Sequence, residues 1–191
     1  MVSLNDNVTF KKQIFNSGIF EASHIALKYK LSLIFKNPLD FEYSDVILSI
    51  KDLKDHFKID KALIIDIDPN QSINLEKDLK RFFTNQIKSV YLIDAFDKKS
   101  PINKSLYSLI DIIINTKNIS EFELIEKLKF FMTEAINVFK PDIIFYNTGN
   151  RKNTFRIDSE IKKIAIAKSI SIVMELNINY DSFEALKLAK I

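Results

Sequence analysis

An α/β protein of three layers (αβα), with helices on both faces of a mainly parallel sheet, is predicted by three features of the sequence. Short apolar runs alternate with amphipathic stretches, the order in which strands and their covering helices follow one another in parallel sheets. Each apolar run ends in polar residues, where a strand leaves the sheet. The longest helical pattern carries both a start and a stop signal. Ser120-Glu121-Phe122-Glu123 has the capping-box form, and Pro141 follows the last turn. No repeat, low-complexity segment or Pro/Gly linker interrupts the 191 residues, so one domain covering 1–191 is expected.

Taken in order, helical periodicity over 18–29 leads into an apolar run at 31–35, and a second helical stretch, 45–57, leads into the run 62–67. A helix is expected at 73–84 and a strand at 90–93, whereas 98–118 shows no clear pattern. After Ser120, the residues Ile125, Leu128, Phe131, Met132, Ala135, Val138 and Phe139 recur at spacings of three and four, which gives one apolar helix face. Strand 142–146, helix 157–168, strand 170–176 and helix 181–190 complete the chain. Runs 62–67 and 142–146 are apolar without alternation, as strands covered on two faces are, and are expected at the centre of the sheet.

Composition excludes several chemistries. With 47% apolar residues, 16 Phe and 28 basic against 25 acidic residues, the chain reads as globular. Its charges alternate, as in Glu76-Lys77-Asp78-Leu79-Lys80-Arg81, and form no basic stripe for a nucleic acid. The absence of Cys removes disulfides, thiolate nucleophiles and Cys-ligated metals, and leaves His24 and His56 as the imidazoles. Gly18 and Gly149 are the two glycines, too few for a glycine-rich phosphate cradle. Neither a signal peptide nor a run of about 20 apolar residues is present, so a cytoplasmic protein without a membrane partner is expected.

Ligands of open α/β sheets bind outside the carboxyl ends of the strands. Three carboxylates fall there. Ala62-Leu63-Ile64-Ile65-Asp66-Ile67-Asp68 ends one strand in an Asp-x-Asp pair, and Val90-Tyr91-Leu92-Ile93-Asp94 ends another in a third Asp. On neighbouring strands, Asp66, Asp68 and Asp94 would offer oxygen ligands to a hard cation. Turn formation and helix capping are the alternative role for such residues.

The segment Asp66-Ile67-Asp68-Pro69-Asn70-Gln71 resembles the histone-deacetylase family's Asp-x-Asp-x-His-x-Gly-x-Gly loop, which carries two zinc ligands. Upstream, Ser17-Gly18-Ile19-Phe20-Glu21-Ala22-Ser23 is similar to the family's Thr-Gly-Gly-Thr helix, and Phe41-Glu42-Tyr43-Ser44-Asp45-Val46 to its Phe-Cys-x-x-Asn-Asp stretch. Downstream, Val90-Tyr91-Leu92-Ile93-Asp94 and Pro141-Asp142-Ile143-Ile144-Phe145-Tyr146-Asn147-Thr148-Gly149 resemble the small class IV type and its bacterial relatives. Ile172-Val173-Met174-Glu175-Leu176-Asn177-Ile178-Asn179-Tyr180 aligns with the strand ending in Ser-Gly-Gly-Tyr. The resemblance begins at about residue 10 and implies an arginase/deacetylase-type sheet that lacks the family's N-terminal portion.

It also implies a degenerate site. Asp68 matches one zinc ligand, while Asn70 stands where an imidazole ligand belongs. The family's second Asp loop has no counterpart between Asn147 and Arg156, and Asp158 matches a helix residue instead. The family's His pair, its general base and acid, has no counterpart in 31–45, and His24 and His56 fall on helices. Tyr180 matches the tyrosine that polarises the acyl oxygen, although an aromatic cap on the last strand is an equal reading. Losing a metal and its base removes a zinc-water mechanism altogether. The expectation is therefore a deacetylase-like pseudoenzyme, a binding or regulatory module, with no cofactor and no bound zinc but with a monovalent cation at Asp66, Asp68 and Asp94. The alternatives are residual zinc-dependent deacetylation of acetylated amines, and a haloacid-dehalogenase-type phosphatase with Asp66 as nucleophile and Asp68 as acid/base. Pro69 stiffens the position where the phosphatase motif wants a flexible residue. A further alternative is a chain whose sheet is completed by a second copy, a protein partner or a separately encoded N-terminal half.

Overall fold

Five consecutive residues, Ala62–Asp66, form β2, and all five are buried, which requires cover on both faces. The computed structural model describes residues 18–36, 43–68, 90–96, 111–177 and 179–190. Along these residues run α1 (Ile19–Tyr29), β1 (Leu31–Lys36), α2 (Tyr43–Phe57), β2, β3 (Val90–Phe96), β4 (Ile112–Asn115), α3 (Glu121–Phe139), β5 (Ile143–Asn147), α4 (Phe155–Ala167), β6 (Ser171–Asn177) and α5 (Ser182–Ala189). The six strands make one sheet in the order β1-β6-β5-β2-β3-β4, parallel at every pairing. The protein is a three-layer αβα fold.

Strand order decides which face each helix covers. From β1 to β2 the chain moves one way across the sheet, and from β4 through β5 to β6 it moves the other way. Right-handed crossovers then place the connecting helices on opposite faces. Ile19, Ala22, Val46, Ile47, Ile50 and Leu53 of α1 and α2 accordingly pack on Ala62, Ile64, Leu92, Ile143 and Phe145. On the other face, Leu128, Met132, Ile157, Ile161 and Leu188 of α3, α4 and α5 pack on Leu63, Ile65, Ile144, Met174 and their neighbours. Each such buried aliphatic side chain stabilises the fold by about 1.5–3 kcal/mol relative to exposure.

The runs at 62–67 and 142–146 do form central strands, β2 and β5. Ser120 caps α3 as its sequence indicates: Glu123 N donates to Ser120 Oγ at 3.2 Å, and Ser120 N donates to Glu123 Oε2 at 2.8 Å. Lys140, at φ 55, turns the chain out of α3 just before Pro141. The unreadable stretch 98–118 contains the edge strand β4, whose four residues are too few to show a period. The helix expected at 73–84 lies outside the described residues. No helix among the described residues is long and apolar enough to cross a membrane.

Candidate functional site

The chain leaves β2 toward β3 and leaves β5 toward β6, in opposite directions across the sheet. Such a reversal opens a crevice between the two strand ends, the usual ligand position of a doubly wound sheet. Asp66 and Asn147 end these strands as register partners, Asp94 of β3 pairs with Asp66, and Glu175 of β6 pairs with Asn147. Glu175, Asn147, Asp66 and Asp94 therefore form one polar row across four adjacent strands. Side chains alternate along a strand, so the row shares the α1/α2 face with Ile64, Leu92, Phe145 and Val173. Its four members are between 2% and 6% exposed.

Hydrogen bonds tie the row to the loops above it. Asp66 Oδ1 accepts from Asn147 Nδ2 at 3.0 Å and from the Asp68 amide at 2.9 Å. Asn147 Oδ1 in turn accepts from the Gly149 amide at 3.0 Å. Asp68 Oδ2 accepts from the Asn150 amide at 3.2 Å. Gly149 adopts φ +51, and a Cβ there would collide with the Asp68 carboxylate, so both backbone angle and close approach require glycine. Arg151 crosses the same rim: Nε donates to the Ile67 carbonyl at 2.8 Å, and one terminal nitrogen donates to the Ala95 carbonyl at 3.4 Å and Thr116 Oγ1 at 3.1 Å. One guanidinium thus binds together the ends of β2 and β3 and the residue after β4.

Burial pushes the Asp94 carboxyl up to about 8, and the charges of Asp66 and Asp68 push in the same direction. At neutral pH Asp94 accordingly holds its proton. A cation seated in the row would reverse that preference, because it stabilises the carboxylate. Asp66 and Asp94 are brought together by register and Asp68 stands close enough to act on Asp94, yet no group of three or more His, Cys, Asp or Glu residues among those described is arranged to hold a metal. Asn70 lies outside the described residues.

The residues present do not fit zinc. The two imidazoles sit on the outer helices: His24 Nε2 lies 3.1 Å from Asp52 Oδ2, and His56 Nδ1 lies 3.0 Å from Asp52 Oδ1. His56 is near the end of α2 that leads into β2, and so at the opposite end of the sheet from the acidic row. No family model and no curated protein matches the chain.

Tyr180 lies in the turn between β6 and α5 and donates its hydroxyl to Asp158 Oδ2 at 2.7 Å. Asp158, fully buried on α4, also accepts from the Tyr146 hydroxyl at 2.5 Å. Sequence reading singled out Tyr180 but not this network, nor Arg151, nor the place of Glu175 in the row. A signal for Glu175 was present: an acid inside the run Ile172-Val173-Met174-Glu175-Leu176 is exceptional in a strand covered on both faces. Arg151 carried no such signal, because its acceptors come from three separate strand ends.

Proposed function

We propose that the protein is a histone-deacetylase-like pseudoenzyme, a binding or regulatory module without hydrolase chemistry. The observation that carries this reading is the position of its histidines. A zinc-water mechanism needs an imidazole base at the C-terminal rim of the sheet. Both imidazoles are instead held by Asp52 in the α1/α2 layer. Tyr180 supports the same reading, since its hydroxyl is donated to a buried carboxylate rather than presented to a ligand. Burial weighs against the phosphatase alternative: Asp66 is 2% exposed and its Oδ1 accepts two hydrogen bonds, a poor setting for a nucleophile.

What remains in this reading is a strand end where the register-paired Asp66 and Asp94, with Asp68 nearby, would offer oxygen to a monovalent cation, and a surface for another polypeptide. That surface is the edge of β1. Among the described residues β1 pairs with β6 alone, and an apolar groove runs beside its free edge. A strand from a second chain would complete the sheet there.

The test is a deacetylase assay on acetyl-lysine peptides and acetylated polyamines with zinc added, run beside Tyr180→Phe and Asp68→Ala. Background rates in all three are expected. Turnover by the unmodified protein that disappears in both variants would overturn the reading.

A further inference from the structure

One buried carboxylate ties the β6–α5 turn to the centre of the sheet. Asp158 accepts the hydroxyls of Tyr146 and Tyr180, and Thr154 adds a third side-chain donor. The two phenols differ in surroundings. Tyr146 belongs to β5 and is 1% exposed. Tyr180 is half-buried and forms a wall of a groove of about 850 Å³ at the β1 edge, with Leu31, Leu33, Ala185 and Leu186.

We infer that Asp158 is a latch: its carboxylate holds Tyr180 in place as a wall of the β1-edge groove, and protonation of Asp158 frees that wall. A carboxylate accepts at both oxygens, whereas the protonated acid carries a hydrogen that itself needs an acceptor. With three hydroxyls already donating to the group, one of them must either turn to accept the new hydrogen or give way. Tyr146 and Thr154 are 1% and 3% exposed, whereas the half-buried Tyr180 side chain has the open groove beside it into which its ring can turn.

Burial is the main influence on Asp158 and raises its carboxyl to about 6; the hydroxyls of Tyr146, Tyr180 and Thr154 act against it, and Glu184 of α5 acts with it. The other charged groups facing the network are Asp181, which acts on Tyr180, and Arg151, which acts on Tyr146. The latch is thus closed at pH 7.5 and open at pH 5.

Tyrosine 13Cζ labelling reads both phenols directly, with signals assigned through Tyr146→Phe and Tyr180→Phe. The two signals are expected to titrate together with a midpoint near 6. The Tyr180 ring should gain photo-CIDNP intensity below that midpoint, and Asp158→Asn should show the open state without a titration. Glu184→Gln, on the surface helix, should keep the titration and lower its midpoint, a readout available even if Asp158→Asn does not fold. A Tyr180 signal that stays flat from pH 7.5 to 5 would overturn the inference. So would a titration that persists in Asp158→Asn or vanishes in Glu184→Gln.

Discussion

Asp94 illustrates how far a residue's chemistry depends on what the fold puts beside it. In the sequence it is one more acid at the end of an apolar run. In the fold it is 2% exposed, and burial followed by the charges of Asp66 and Asp68 raises its carboxyl to about 8. An acid whose pKa is raised by folding binds its proton more tightly in the native state. Its contribution to stability is then fully present below about pH 4 and is lost as the pH rises through about 8. Asp94→Asn should therefore flatten the stability profile between those limits and be the more stable form at pH 8, by on the order of a few kcal/mol. Urea midpoints from pH 4.5 to 8.5 measure this, and an unchanged slope in the variant would count against the assignment. Added potassium should flatten the profile of the unmodified protein if a cation sits in the row, since it favours the ionised Asp94.

At the scale of elements, local signals were legible where the causes are local. The capping box of α3 involves residues three apart, so Ser120 and Glu123 declare it without reference to the rest of the fold. Ser120→Ala should cost about 1 kcal/mol. For a chain of this length that lowers the thermal midpoint by roughly 2–4 °C, which calorimetry can resolve. β2 and β5 were equally legible, because burial on both faces leaves an unbroken apolar run. β4 was not, since a four-residue edge strand gains its identity from pairing with Ile93, Asp94, Ala95 and Phe96 of β3, not from a pattern of its own. Asp158 likewise matched a helix position and gave no hint that two phenols converge on it from β5 and from the turn after β6.

For the whole molecule, stability should be graded from the middle of the sheet outward. β2 and β5 have strands on both sides and helices on both faces, so their amides should exchange at or near the rate of global unfolding. The amides of β1 should exchange faster at low protein concentration and slow as concentration rises if a second copy pairs there. Native mass measurements over the same range should then show the dimer. A monomer at all concentrations, with unchanged β1 exchange, would leave a different polypeptide as the partner to seek.

By itself the sequence determined the fold class, the central strands, the bounds of the longest helix and the chemistries excluded by having no Cys and two His. Each follows from period, composition or contacts between near neighbours along the chain. Only the tertiary structure decided that Glu175, Asn147, Asp66 and Asp94 share one row, that Arg151 spans three strand ends, and that Tyr180 is held by Asp158. These depend on strand order and register, which join residues as far apart as Asp66 and Glu175. Pairwise register is set by the packing of both sheet faces at once, and no local stretch of sequence carries that information.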